Sequence, residues 1–263
     1  MLGTENEKEI LDDNYYLNKK NDERNKKINT KRKKRIYRLG ILVGFILIAC
    51  LFFFDSSNNI FKINVLNNKY LTSEEVIEAS GLSKNDKYPL TLNIIISKRL
   101  KSNPLIEDAY IEKVDGNIVN IYVTEKKIVG YYNSEDKAYL VCDDDTRVEL
   151  NADNMHLINN VPLIEGYEDE ELSSIVKEFE DVDRKTISEI SEIHKSAVSY
   201  DDLRLEVVMD DGNFIYVGRY GVKMLNNYAS IESALGLEDD KNYCMFFDET
   251  SNSGYTSKCP WEE

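Results

Sequence analysis

The sequence predicts an α+β protein in which a single transmembrane helix is followed by a β-α-α-β-β module and then by a mixed, mainly antiparallel β-domain with packed helices. Three observations carry this prediction: a charge-free apolar run at 39–54, an ordered succession of strand, helix and hairpin signals between 60 and 126, and repeated apolar–polar alternation after 127. They divide the chain into a tail at 1–35, a spanning helix at 36–54, a first outer domain at 55–126, a β-domain at 127–250 and a C-terminal tail at 251–263.

Residues 1–35 are polar and charged without a sustained apolar period, which predicts a disordered or loosely helical tail. The run from Leu39 to Phe54 then holds twelve Leu, Ile, Val or Phe residues. On an insertion scale these favour the bilayer by roughly 4 to 7 kcal/mol. Ile36 and Tyr37 lengthen the span, and Arg38 can snorkel to the interface. Nine Lys or Arg and no acid lie between Arg24 and Arg38, so the positive-inside rule puts the N-terminus in the cytoplasm and the C-terminus outside. A cleavable signal is the poorer reading, because the preceding tail is long and no A-x-A-like site follows. "LIAC", Leu47–Cys50, matches a lipobox and leaves a lipoprotein processed at Cys50 as an alternative, although the apolar run continues through Phe54. Gly40 and Gly44 form a GxxxG pair that could let a second helix approach closely, including that of another copy of the chain.

In the first outer domain, "IFKINVLNN" alternates as a strand. "TSEEVIEASGL" reads as a helix with Thr72 or Ser73 at its N-cap, acids in its first turn and Gly81 as its stop. "LNIIISKRLKSNP" places Ile95, Ile96 and Leu100 at near-helical spacing, with Pro104 beyond the end. Two alternating runs around Asp115-Gly116-Asn117 make a hairpin, read as a type I′ turn with positive φ at both Asp115 and Gly116. In the β-domain, "IVGYYN" and "AYLVCDDDTRVEL" read as strands, "VPLIEG" is a short apolar segment with a turn, and two amphipathic helices are expected near 170–179 and 184–197. "LRLEVVMDDGNFIYVGR" is a second hairpin with Asp211-Gly212 at its turn, "VKMLNNYASIESAL" has helical spacing, and "YCMFFDE" is the last strand. The segment after it is expected to be loose.

Charge and composition exclude several functions. The first 54 residues hold 12 basic and 7 acidic side chains, whereas the remainder holds 21 basic and 41 acidic, a net charge of −20. So acidic an outer part should repel nucleic acid and anionic headgroups. His156 and His194 stand far apart with no ligand at metal spacing, and Asp143-Asp144-Asp145 lacks the Gly and Glu of a calcium loop, so no metal site is expected. Ser174-Ile175-Val176-Lys177 fits S-x-x-K without a following Lys-Thr-Gly, and no nucleophile elbow or phosphate loop is present. No catalytic residue and no cofactor are assigned. Cys50 lies in the span, and Cys142, Cys244 and Cys259 lie outside. Cys244 and Cys259 could close one bridge, with free thiols as the alternative.

The order of these parts resembles the FtsQ/DivIB family of bacterial cell-division proteins, which join a cytoplasmic tail and one spanning helix to a POTRA domain and a β-rich domain. "INVLNNKYLTSEEVIEASGL" is similar to the opening of the family's POTRA domain, with Asn67 where a Gly is usual. Pro104, Ile106, Ala109 and Ile111 fall on its strand entry, and Glu125 and Lys126 on its exit, where Ile128 replaces a Pro. "VPLIEG" and "MDDGNFIYVGR", with Gly212, Gly218 and Arg219 in place, resemble β-domain segments. The resemblance implies a non-enzymatic scaffold of septal peptidoglycan synthesis whose partners are FtsL-like and FtsB/DivIC-like single-pass proteins and, indirectly, the septal transpeptidase and glycosyltransferase. It also points to "YCMFFDETSNSGY" as the partner-binding segment. As the final strand, Tyr243–Asp248 can form a sheet edge, which selects Tyr243, Met245, Phe246 and Phe247, with Phe246 and Phe247 on opposite faces, and the resemblance of the Ser-Gly loop that follows adds Gly254 and Tyr255. The alternative to a scaffold is an extracytoplasmic ligand sensor signalling through the one helix.

Overall fold

The structure, a computed structural model, describes residues 4–235, 244–251, 253–257 and 259. It separates into two compact units, Met1–Ile60 with Asn85–Leu90, and Phe61–Lys84 with Thr91–Glu263.

In the first unit, helix α1 runs without a break over Thr4–Phe54. Of the two states expected for the tail, disordered or loosely helical, the structure has the helical one, and no Gly or Pro occurs between Thr4 and Arg38 to interrupt the backbone ladder. Within α1 the stretch Thr30–Phe54 is long and apolar enough to cross a membrane. The helix gives way to a short turn whose first residue, Asp55, accepts the Ser57 N–H at 2.9 Å. Lys87 Nζ donates to the Asp55 carbonyl at 2.8 Å and to Asn59 Oδ1 at 2.6 Å, which ties the 85–90 segment to the foot of the helix.

The second unit opens with a three-stranded sheet of order β1-β3-β2, formed by β1 (Lys62–Leu66), β2 (Ile106–Val114) and β3 (Ile118–Glu125). β1 is parallel to β3 and β2 antiparallel to it. Two helices belong to this module, α2 (Ser73–Ser80) and α3 (Asn93–Leu100). α2 starts at a capping box: the Glu75 N–H donates to Thr72 Oγ1 at 3.3 Å, and Glu75 Oε2 accepts the Thr72 N–H at 2.7 Å. It stops at Gly81 in the left-handed region. Val76, Ile96, Leu100, Ala109, Ile111, Val119, Ile121 and Val123 are all buried. The Asp115 hairpin differs from the two-residue turn expected. Val114 pairs with Ile118, which leaves three residues in the loop, and positive φ falls on Gly116 (82°) and Asn117 (58°). Asn, unlike Asp115's expected assignment, occupies that region through its short polar side chain.

At the end of β3 the buried Glu125 carboxylate accepts three consecutive backbone N–H groups, from Lys69 (3.0 Å), Tyr70 (2.7 Å) and Leu71 (3.1 Å). A buried carboxylate is tolerable only when it is satisfied in this way. Arg184 reaches the same corner, donating through Nη2 to the Glu125 carbonyl at 2.6 Å with its guanidinium 4.9 Å over the Tyr70 ring.

Nine strands form the second sheet, in the order β12-β11-β10-β9-β8-β7-β4-β5-β6. They are β4 (Ile128–Ser134), β5 (Lys137–Cys142), β6 (Arg147–Glu149), β7 (Leu163–Glu165), β8 (Ile190–Lys195), β9 (Leu205–Met209), β10 (Phe214–Val217), β11 (Cys244–Asp248) and β12 (Ser253–Ser257). Helices α4 (Asp169–Lys177), α5 (Arg184–Ile187) and α6 (Tyr228–Leu235) accompany them. Pairings β4–β7, β7–β8 and β10–β11 are parallel and the rest antiparallel. Gly130 is required where β4 passes β7, since a Cβ there would meet Ile164 Cδ1 and the Pro162 carbonyl at 2.7 Å.

Two expectations need correction here. The helix expected over 184–197 is one short turn followed by strand β8. Ile190 and Ile193 are three apart and both buried because a register shift between Ile190 and Glu192 breaks the alternation, and this mimics a helical period. The segment expected to be a loose tail at 251–263 contributes β12, which pairs antiparallel with β11.

Candidate partner interface

Register defines two rows of side chains across the β12 end of the large sheet. On one face lie Val207, Ile215, Met245 and Thr256, and beside them Leu205, Val217, Phe247 and Gly254. The apolar members of these rows are buried. A Cβ on Gly254 would sit 3.0 Å from Ile231 Cγ2 of α6 and 3.1 Å from the Phe247 ring, which explains why the smallest residue is used there. The opposite face carries Glu206, Tyr216, Phe246 and Tyr255 in register.

On that second face the rings stack in series. Tyr216 and Phe246 are 5.0 Å apart at 17°, Phe246 and Tyr255 are 5.4 Å apart at 14°, and the Arg204 guanidinium lies 5.0 Å over Tyr216. Tyr216 donates its hydroxyl to Glu206 Oε2 at 2.7 Å. Burial and that carboxylate both raise the Tyr216 phenol above its ordinary pKa, so it stays a neutral donor. Cys244 and Cys259 form a disulfide that packs with Tyr216, Phe214 and Phe246 and fastens the end of β12 to the sheet. A groove of about 630 Å³ runs over this face, lined among others by Tyr200, Arg204, Tyr220, Phe246, Asp248 and Tyr255.

The structure redistributes the sequence-selected residues. Tyr243 lies outside the described residues. β11 is not an edge strand, because β10 and β12 flank it, so the edge assigned to 243–248 passes to β12. The expectation took β11 for the last strand, and a pairing created by residues 253–257 reverses that. Met245 and Phe247 are buried on the helix side and cannot meet an incoming chain, whereas Phe246 is half-buried in the stacked row and Tyr255 is 55% exposed at its outer end. Arg204 and Tyr216 were not singled out by sequence, since only the strand register brings them to Phe246. Among the described residues, β12 has no strand on its outer side.

Other candidate sites are less organised. A Cβ on Gly40 or Gly44 would find nothing within 4 Å. Cys50 is exposed within α1. Ser174 lies on α4, where its hydroxyl accepts from Arg219 at 3.1 Å. No group of three or more His, Cys, Asp or Glu suited to a metal ion occurs among the described residues.

A membrane-length helix followed in the chain by a small βααββ module and a larger mixed sheet fits a single-pass membrane protein with a POTRA domain. The family model "POTRA domain, FtsQ-type" matches residues 58–126. The cell division protein DivIB of Listeria monocytogenes is 32% identical over 187 residues, which are 70% of this chain and 69% of that protein. DivIB of Erysipelothrix rhusiopathiae is 28% identical over 245 residues, 89% of this chain and 85% of that one. The major extracytoplasmic domain of DivIB from Geobacillus stearothermophilus aligns with 44% of this chain and 98% of its own, at 16% identity and a TM-score of 0.35. The chain belongs to the FtsQ/DivIB family of bacterial cell-division proteins and has a role in cell division.

Proposed function

We propose that the chain is a non-enzymatic scaffold that holds other single-pass division proteins at the septum. In this reading Thr30–Phe54 spans the membrane, the basic stretch before it stays in the cytoplasm, and both sheets lie outside. Its direct partners are FtsL-like and FtsB/DivIC-like chains, which connect it to the septal transpeptidase and glycosyltransferase. The observation that carries the proposal is strand β12: five residues without a charge, fastened to the sheet by a disulfide, with an unpaired outer main chain among the described residues. Such an edge can accept an extended segment by strand addition, and the adjacent Tyr255–Phe246 row offers a contact surface for its side chains.

A pull-down with a DivIC-like partner tests this. Ending the chain after Ser251 removes β12 and should lower capture by at least about tenfold. Tyr255→Ala, an exposed change that leaves the strand in place, should lower it less, and Glu149→Pro at the far edge not at all. Capture that survives loss of β12, or that fails with Glu149→Pro, would place the site elsewhere. A fluorescent fusion should form a mid-cell band in dividing cells, and uniform membrane signal would remove the septal assignment.

A further inference from the structure

Helix α3 buries Ile96 and Leu100 but turns a second apolar set outward. Ile94 is 78% exposed, Leu92 52% and Ile95 45%. This inversion is not forced by the fold, since α3 is already held to β2: the Ile111 N–H donates to Asn93 Oδ1 at 2.8 Å, and the Ser97 hydroxyl bonds the Ala109 carbonyl. Helical spacing places Lys98 one turn beyond Ile94, and Arg99 one turn beyond Ile95, on the same outer face. Ile94, Ile95, Lys98, Arg99 and Ser102 line a shallow, mainly apolar depression. Residues 91–102 contain three basic side chains and no acid, within an outer part whose net charge is −20. Acidic groups crowd the rest of the outer chain and are absent here.

We propose that this face of α3 is a membrane-surface site that lays Leu92, Ile94 and Ile95 into the interfacial layer and sets Lys98 and Arg99 against anionic lipid headgroups. An apolar tip bordered by basic side chains is the pattern of helices that lie in a bilayer interface. Charge selects the occupant: an anionic surface complements this patch, although the average charge of the outer part argued against such contact. Chain length supplies the second reason. Only seven residues, 55–61, separate Phe54, the end of the membrane-length helix, from Lys62, the start of β1. That tether can span at most about 28 Å, so the module that carries α3 stays within reach of the bilayer throughout. Tethering makes the contact intramolecular in effect, and a weak patch suffices. The Lys101–Asp108 pair at 2.8 Å is exposed and does not compete strongly, because ion pairs in water are worth little. The proposal rests on the helix crossing a bilayer and not on partner capture.

The test uses the full chain in nanodiscs, either neutral or containing phosphatidylglycerol, with brominated acyl chains as quencher. Ile94→Trp in a Trp261→Phe background should lose roughly half of its emission in anionic discs. Adding Lys98→Glu should restore most of that loss, and Tyr200→Trp, in the loop between β8 and β9, should be unquenched. In the unmutated chain, amide hydrogens of 94–99 should exchange more slowly in anionic than in neutral discs. Equal quenching at positions 94 and 200, or equal exchange in the two lipids, overturns the proposal. So does protection of α3 that appears only after a partner protein is added, which would make the patch a protein site instead.

Discussion

The two margins of the nine-stranded sheet are built in opposite ways. At one end β6 has three residues and is closed over by charge. Arg147 bonds Asp145 at 3.1 Å, Asp169 at 2.8 Å and Ser173 at 2.9 Å, and its guanidinium lies 5.5 Å over the Tyr132 ring, while Lys137 pairs with Glu149 at 2.8 Å. At the other end β12 has five residues, Ser-Gly-Tyr-Thr-Ser, with no charged side chain, and is fastened covalently. Natural sheets blunt their edges with shortness and charge, as β6 does, because a long neutral edge is a template for another strand. β12 uses neither device and is held instead by its pairing with β11 and by the Cys244–Cys259 bridge.

The sharpest way to break this contrast is to cut the staple. The disulfide closes a loop of sequence separation 15, and in the chain-entropy account such a loop is worth about 3 kcal/mol. Cys244→Ala with Cys259→Ala should therefore lower the unfolding free energy by about that amount and speed amide exchange across 253–257. Partner capture should fall with it. An unchanged denaturation midpoint with unchanged exchange would mean that β12 is held by its strand pairing alone.

A smaller effect is expected at the closed margin. Arg147→Met keeps much of the side-chain bulk over Tyr132 but removes the bonds to Asp145, Asp169 and Ser173. The arginine is partly exposed, so water takes over some of these bonds, and the expected loss is about 1 to 2 kcal/mol by urea unfolding. Capture should be untouched. If Arg147→Met weakened partner binding as much as loss of β12 does, the two margins would not be functionally distinct.

What could be read in advance followed the range of the interaction. The Thr72–Glu75 capping box, the Gly81 stop and the loop glycines Gly116 and Gly212 are set by neighbours within a few residues, and each was legible. The misreadings arose where distant pairing overrides a local pattern. The bulge between Ile190 and Glu192 gave β8 the spacing of a helix, and β12 is a strand only because β11 and Cys259 hold it. The alternation of Phe246 and Phe247 was legible, but which of them faces the core depends on the buried partners Val217 and Leu205, supplied by other strands. Tyr216, Phe246 and Tyr255 share a row, with Arg204 over its Tyr216 end, for the same reason, and no spacing in the chain announces it.

The smallest expected effect concerns the cysteine on the closed side. Cys142 ends β5, fully buried and reduced, while Cys244 near the open margin is oxidised. Burial, reinforced by the Asp144 and Asp143 carboxylates, pushes the Cys142 thiol up to about 12 from an ordinary 9.0. A raised pKa means that the folded chain keeps its proton after the unfolded chain has begun to release it. The thiol therefore contributes stability that is complete below about pH 9 and is lost as pH rises towards about 12, with a limiting slope of about 1.4 kcal/mol per pH unit. Between pH 8 and pH 10 the parent should lose about 1 kcal/mol more unfolding free energy than Cys142→Ala, whose tyrosines titrate alike and cancel in the difference. Urea midpoints at the two pH values measure this directly. Because the thiol is neutral and enclosed, an impermeant maleimide should leave Cys142 unmodified in the native chain and label it after denaturation. Parallel pH profiles for parent and variant, or rapid native labelling, would show that the β5–β6 margin opens to water, and the contrast with β12 would then lie in charge alone.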